Sequence, residues 1–502
     1  MVQLQRRLSL FSLVMAVVTS TIGSGWLFAP YLTAQLAGPA SLFSWLAGGA
    51  MAFLIALVFA ELGALVSSSG ALAQISLLTH GRTSGFIGGW AAWLGYVALP
   101  AIEVLATVQY LGSSLPWLNR TDAACLLLLL FGWINLAGIA TLARWIDGLT
   151  IWKLVVPLGV SIALIYCAAN WSNLHVAGYE SNGIFDALSA GGILFSLLGF
   201  RTAMDLAGEA KNPQRDVPLA MGVGLAISLF VYLVLQLAFL LAVPPAMLDK
   251  GWSGLQLTAH GGPLVALAMG LGLSWLSGLL ITDALISPSA TSMAYMGTAA
   301  RVNWMLARCK LLPAPFAHIN KAGVPSVALA ATVLIGLILL QGGSTWGKAV
   351  GFVTSALVIS LAVGPVSLMA LRQQAPEVFR PYRLPAARFL CPLAFVFATW
   401  AIFWCGWASL QLALPSILIP SFIYLLVKRC KNVELKSSLW WFIYLLGIGL
   451  ASYLIGLNRL FPLHLGLQLV LLTVFALTIF MWALRSKLLK PSPHAMVKFS
   501  AD

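Results

Sequence analysis

Charge is what this sequence has least of. Of its 502 residues, 28 are Lys or Arg and 14 are Asp or Glu, so 8% are charged while 60% are hydrophobic; an ordinary soluble domain is roughly 25% charged. A mean hydropathy of +0.95, with 19 Trp and 25 Phe, has no place on a water-facing surface without apolar patches far above what soluble monomers carry. That excludes a soluble enzyme and points to a lipid bilayer. Cysteine is also sparse: six residues stand singly at 125, 167, 309, 391, 405 and 430, with no C-x-x-C pair, which argues against a disulfide framework or a thiolate metal site. The histidines at 80, 175, 260, 318, 464 and 494 fall mostly in loops or at span ends and make a poor ligand set, so neither metal nor cofactor is expected. No Ser/His/Asp set and no phosphate loop is present, which weighs against a multi-pass acyl or glycosyl transferase.

What the chain does have is long uncharged runs. Residues 8–60 contain no Asp, Glu, Lys or Arg; as helix that stretch would run roughly 80 Å, more than twice a bilayer core, so it must be two spans and a turn. Continuing this reading predicts fourteen transmembrane spans, near 9–36, 40–66, 84–115, 122–142, 146–169, 184–207, 217–243, 262–296, 325–341, 347–371, 388–411, 413–429, 437–457 and 463–485. No gap between them has room for a soluble catalytic domain. With the N-terminus in the cytoplasm, 22 of the 28 basic residues fall inside, among them Arg6, Arg7, Arg82, Arg144, Lys211 and Arg215, as the positive-inside rule requires. An even span count then puts both termini in the cytoplasm. The net charge of +14 is spread over many loops and calls for no nucleic acid partner. Arg6-Arg7 before an apolar run has the look of a secretory or twin-arginine signal, but no small-residue cleavage site follows at the right distance and the run continues to Ala37, as a first span does.

Two places threaten helical continuity at membrane depth, where unpaired backbone survives only against protein or a watery cavity. Span 1 carries Ile22-Gly23-Ser24-Gly25, and span 6 carries Phe195-Ser196-Leu197-Leu198-Gly199-Phe200. Spans 1 and 6 occupy corresponding positions in two five-helix units, and paired interruptions of that kind mark the midplane site of an inverted-repeat transporter. The half-helix N-termini after each break would seat a carboxylate, and the C-terminal carbonyls before it an ammonium group. A zwitterionic amino acid matches both. Taken alone, Gly-Ser-Gly is equally a close helix-packing surface.

Four strings carry a resemblance: Gly23-Ser24-Gly25-Trp26-Leu27-Phe28; Glu61-Leu62-Gly63; Gly199-Phe200 followed by Asp205-Leu206-Ala207-Gly208-Glu209-Ala210-Lys211-Asn212-Pro213; and Arg380-Pro381-Tyr382-Arg383-Leu384-Pro385. In this order and spacing the chain resembles the amino acid/polyamine/organocation family of transporters over about residues 8 to 430. Arg201, where many relatives have an acid, and the segment from Pro100 to Tyr110 are similar to its aspartate-proton symporter-like branch. The resemblance implies an all-α integral membrane protein with the LeuT-type fold of five plus five inverted helices. It divides the chain into a transporter core at 1–430 (spans 1–12), two additional spans at 431–487 and a cytoplasmic tail at 488–502.

Ionisable groups inside spans are expensive and are read first as functional. Lys153 matches a lysine that in proton-coupled relatives puts its amine where sodium-coupled ones hold Na⁺, so the resemblance implies proton coupling; the alternative is a lysine snorkelling to the headgroups. Arg201 has the fork to grip a side-chain carboxylate, or else it pairs with Asp205 one turn along. Glu103, three residues after Pro100, is read as a proton relay or as a buried salt-bridge partner of Arg201 or Lys153. Asp283 is assigned to the coupling-ion region where span 8 faces span 1, or to local pairing. Glu61 and Glu209, near the cytoplasmic ends of spans 2 and 6, are expected to contact Lys211 and Arg215 as inner gate or loop ties, with Asp205 grouped among these gate or structural residues. The substrate-binding set is Ile22, Gly23, Ser24, Gly25, Phe195, Ser196, Gly199, Phe200 and Arg201; by resemblance an aromatic at Phe195 closes over the substrate.

The expectation is a multi-pass secondary transporter of the cytoplasmic (inner) membrane that moves an amino acid, acidic ones first, together with a proton, without any cofactor. An exchanger of amino acids or polyamines on the same fold is the alternative. Paired broken helices with buried titratable groups argue against a channel.

Overall fold

The computed structural model describes residues 7–493 apart from 67, 69, 113–116, 118, 138, 180–182, 258–260, 342–345, 429–431 and 457–462. Arg6, His260, Cys430, Arg459, His494 and most of the expected tail lie outside the described residues. The described residues form eighteen α-helices and no strand; one isolated bridge joins Leu8 to Ala210.

The first five-span unit comprises α1 (Leu10–Thr21) with α2 (Gly25–Ala37), α3 (Ser41–Leu65), α4 (Leu72–Leu111), α5 (Arg120–Asn135) and α6 (Ile139–Ala168). The second comprises α7 (Gly183–Ser189), α8 (Ile193–Leu197) and α9 (Thr202–Asp205) as one interrupted span, then α10 (Pro213–Ala242), α11 (Pro263–Gly270) leading into α12 (Ser274–Arg308), α13 (Ser326–Gln341) and α14 (Trp346–Gln374). After these come α15 (Ala387–Trp404), α16 (Gly406–Lys428), α17 (Asn432–Ile455) and α18 (Leu465–Arg485). Joining α1 to α2, α7 through α9, and α11 to α12 yields fourteen spans with the LeuT-type order of two broken helices at equivalent places. Local chemistry sets several starts: Ser9 Oγ accepts from Ser12 N at 3.2 Å and caps α1, Asn119 Oδ1 caps α5, and prolines open α10 and α11, where a missing N–H is harmless.

Spans 4, 5, 11 and 12 have one boundary shifted by seven residues, and three other spans differ in more than a boundary. Span 3 starts twelve residues early, at Leu72, and bends at Gly81, whose φ of 83° only glycine adopts freely. Span 8 is divided: α11 ends at Gly270, a turn through Gly272 follows, and α12 runs on to Arg308. Span 6 turns earlier than the Phe195–Phe200 segment. Its sharp bend, 51° between Gly183–Ser189 and Ile193–Asp205, falls at Ala190-Gly191-Gly192, where Gly192 has φ 83°; residues 198–201 then tighten into a 3₁₀ turn rather than unwinding.

The longest packing seams run along α4, which lies against both α12 and α14, while α1 is wrapped by α10, α6 and the 198–201 turn. Where the end of α1 meets the 198–201 turn, the backbones come close: a Cβ on Gly199 would overlap main-chain atoms of Ser20 and Thr21. Outward-facing Phe422, Leu426, Val470 and Val474 on α16 and α18 are exposed, as lipid-facing side chains are. Of the last two helices, α17 packs inward through Trp440, Trp441 and Tyr444, all fully buried, and α18 through Ala476, Phe480 and Ala483. Trp441 Nε1 donates to Ser84 Oγ at 2.9 Å, Ser437 Oγ to the His80 carbonyl at 2.6 Å, and Tyr444 and Thr399 share a 3.0 Å hydrogen bond.

Candidate functional site

The α1/α2 interruption spans only Ile22, Gly23 and Ser24. Ile22 leaves the helix (φ −92°, ψ 85°) with its N–H still on Val18 O, and α2 restarts at Gly25. Ser24 uses both of its polar ends. Its backbone N–H donates to Glu103 Oε2 at 2.7 Å, and its Oγ accepts from Trp346 Nε1 at 2.9 Å. A carboxylate therefore already occupies an amide at the positive end of α2, the position where helix geometry favours an anion. That carboxylate belongs to the protein. Glu103 forms no ion pair within 4 Å with Arg201 or Lys153 among the described residues, so of its two readings the direct salt bridge does not form and this cap stands in its place.

The carbonyl end of α1 is equally occupied. Lys153 Nζ donates to Thr19 O at 2.7 Å and Thr19 Oγ1 at 3.0 Å, and also to Thr291 Oγ1. Thr291 Oγ1 in turn donates to Thr19 O at 2.8 Å. Lys153 is wholly buried and its amine is spent on Thr19 and Thr291 inside the bundle, which speaks against the snorkelling reading. Tyr295 OH donates to Ser20 O and Tyr232 OH to Thr21 O at 2.9 Å, so three successive carbonyls of α1 are held by side chains from α6, α10 and α12.

Asp283 lies above this cluster on α12. It accepts from Trp26 Nε1 at 3.1 Å, Trp152 Nε1 at 2.8 Å and Ser287 Oγ at 3.1 Å. The pairing is thus not merely local, since it ties α2 and α6 to α12. Above Ser24, Trp346 stacks on Phe28 (ring centroids 4.7 Å) and meets Phe195 edge-on at 5.8 Å. Ser24, Ser196, Gly199 and Phe200 are all buried.

Arg201 closes the 3₁₀ turn of span 6. Its Nε donates to Tyr96 OH at 3.1 Å, and its Nη1 to Leu357 O at 3.2 Å and Ser360 Oγ at 3.0 Å. The expected direct pair with Asp205 does not form; Tyr96 OH stands between the two and donates to Asp205 Oδ2. The remaining acids have other partners than expected. Glu61 takes Arg372 Nε at 3.0 Å, Arg380 Nε at 3.3 Å and the Leu384 N–H at 2.7 Å, binding α3 to the Arg380–Pro385 loop. Glu209 takes Arg301 Nε at 2.6 Å, joining the end of span 6 to α12.

Sequence reasoning missed Thr19, Tyr96, Tyr232, Thr291 and Trp346. None has a local signature: Thr, Tyr and Trp are common in spans, and Trp346 falls one residue before the expected start of span 10.

The chain matches the family model described as Amino acid permease over residues 8–427. It is 34% identical to the Glutamate/serine transporter AimA of Bacillus subtilis over 96% of this chain and 94% of that protein. It is 32% identical to the Aspartate-proton symporter of the same organism over 95% and 96% of the two chains. Among solved structures it resembles a manganese transporter of Eremococcus coleocola, crystallised as a mutant, with a TM-score of 0.52 and 17% identity over 93% of this chain and 95% of that one, a likeness of fold. These matches are to transporters and set the membrane-enzyme alternative aside. A LeuT-type bundle whose two broken helices meet around buried titratable side chains, matched along nearly its whole length, makes this chain a member of the amino acid permease family.

Proposed function

We propose that this protein is a proton-coupled symporter that carries acidic amino acids by alternating access around the α1/α2 and α7–α9 interruptions. The observation that carries the reading is the Ser24 amide, on which Glu103 sits as a carboxylate in the substrate's place. A substrate α-carboxylate competes with Glu103 for that N–H. Protonating Glu103 removes the charge that holds it there, so proton and substrate carboxylate enter together. Lys153, on Thr19 and Thr291, holds the end of α1 through a positive charge, and its deprotonation would loosen α1 for the inward-open state. Asp283 is the third coupling acid. Ile22, Gly23, Ser24, Gly25, Ser196, Gly199 and Phe200 frame the zwitterion, Phe195 closes over it beneath Trp346, and Arg201 takes the side-chain carboxylate. The relatives whose names mention glutamate and aspartate support this substrate class. Residues 1–430 are the transporting core, 431–487 a two-helix addition and 488–502 a tail; the basic loops support a cytoplasmic-membrane location with both termini inside.

The test is uptake of labelled aspartate into proteoliposomes with and without an inward proton gradient, competed by unlabelled amino acids. Gradient-driven uptake blocked mainly by aspartate and glutamate is expected. Uptake driven only by internal substrate would make the protein an exchanger. An Arg201→Ala protein that still prefers aspartate to alanine would return Arg201 to a structural role.

A further inference from the structure

Arg201 and Asp205 carry opposite charges one helical turn apart and are kept from direct contact by one phenol. Tyr96 OH accepts from Arg201 Nε at 3.1 Å and donates to Asp205 Oδ2, and the guanidinium carbon lies 4.4 Å from the Tyr96 ring centroid. All three residues are at most 2% exposed. Two polar atoms in this cluster have no hydrogen-bond partner among the described residues: Arg201 Nη2, a donor, and Asp205 Oδ1, an acceptor. Buried polar atoms are normally satisfied, and here one remains at each end of a neutral triad. The other charged and titratable groups facing it come from α12: Tyr295, with its ring centroid 5.8 Å from that of Tyr96, and Arg301, which acts on Asp205 through space and is neutralised by Glu209 at 2.6 Å. The cluster therefore has no net charge to spare.

We propose that Asp205 takes up one proton for each acidic amino acid seated on Arg201, so that aspartate travels with one proton more than a neutral amino acid does. The inference rests on the acidic-substrate reading above. A side-chain carboxylate arriving on Arg201 Nη2 turns the balanced pair into a cluster of net charge −1 away from water, and an uncompensated buried charge is strongly unfavourable. Protonation of Asp205 restores the balance: its carboxylate becomes a carboxylic acid, with the new O–H on Oδ1, the atom that has no donor now. No other bond is made or broken, and Tyr96 stays hydrogen-bonded to both neighbours. A neutral side chain leaves the charge of the cluster unchanged and brings no such proton.

The experiment counts protons and substrate together. Full-length protein is reconstituted into vesicles holding a pH-sensitive dye, and the ratio of protons to labelled substrate entering is measured for aspartate and for serine under one gradient. This ratio does not depend on how much of the protein is active. The expected result is a ratio for aspartate larger by one than that for serine, falling by one in Asp205→Asn. Equal ratios in the wild-type protein, or an aspartate ratio unchanged by Asp205→Asn, overturn the inference and leave the acidic-substrate reading standing. Absence of aspartate uptake in the wild-type protein overturns that reading, and the inference with it.

Discussion

Glu103 and Lys153, beside the α1/α2 interruption, are as deeply buried as Glu61 and Glu209 at the far end of the bundle, yet the two pairs keep different company. Glu103 holds a backbone amide, and Lys153 holds a carbonyl and two hydroxyls. Glu61 and Glu209 each hold guanidinium groups, at 3.0 and 2.6 Å. An ion pair of the second kind is costly to separate, because breaking it leaves a bare charge in the interior. A charge hydrogen-bonded to an amide, a carbonyl or hydroxyls can lose or gain a proton without breaking a direct ion pair. Burial by itself therefore does not distinguish a working acid from a structural one in this protein; the nature of the partner does.

The sharpest way to break this comparison is Lys153→Met. It removes the charge at the end of α1 while keeping the volume, and gradient-driven aspartate uptake should fall by about a hundredfold, as expected for losing a buried charge interaction of about 3 kcal/mol. Normal uptake with normal pH dependence would end the coupling role of Lys153. Glu103→Gln should come next. It keeps a hydrogen-bond acceptor for Ser24 N–H but no longer titrates, so uptake should persist by substrate exchange while losing its response to the gradient. A counterflow assay beside a gradient-driven one separates the two, and an unchanged gradient response would remove Glu103 from the coupling set.

At the other end, Glu61→Ala should act on stability. It strands Arg372 and Arg380 together and frees the Leu384 amide, at a cost of about 3 kcal/mol; thermal unfolding in detergent should shift down, with the substrate preference of the surviving protein unchanged. A shift in substrate preference instead would mean that the two pairs are not distinct in role. Trp346→Phe is the smallest change. It deletes the donor to Ser24 Oγ, a hydrogen bond worth about 1 kcal/mol, but keeps the aromatic stack, so the KM for aspartate should rise about fivefold with the maximal rate nearly constant.

Much of this was legible along the chain. Uncharged runs determined that the protein crosses a membrane many times, since a helix must cover a fixed thickness of hydrocarbon and a long apolar stretch has no other stable placement. Gly23-Ser24-Gly25 located the α1/α2 interruption to the residue, because two glycines two apart are a local backbone signal. The second interruption was misplaced by a few residues: span 6 bends at Ala190-Gly191-Gly192, before the Phe195–Phe200 segment where it was expected. Lys153, Glu103, Asp283 and Arg201 could be picked out because a charge inside a span is conspicuous in any sequence.

Their partners could not. Ser24 meets Glu103 across 79 residues and Trp346 across 322, and Lys153 meets Thr19 across 134. Whether Arg201 touched Asp205 was decided by Tyr96, 105 residues before it on another helix. Sequence determines which groups are charged and at what depth, since both follow from the local run of residues. Which oxygen or nitrogen each charge rests on depends on how helices distant in the chain cross there, and only the tertiary packing of α6, α10 and α12 around α1, with α4 and α14 reaching Ser24, decided it.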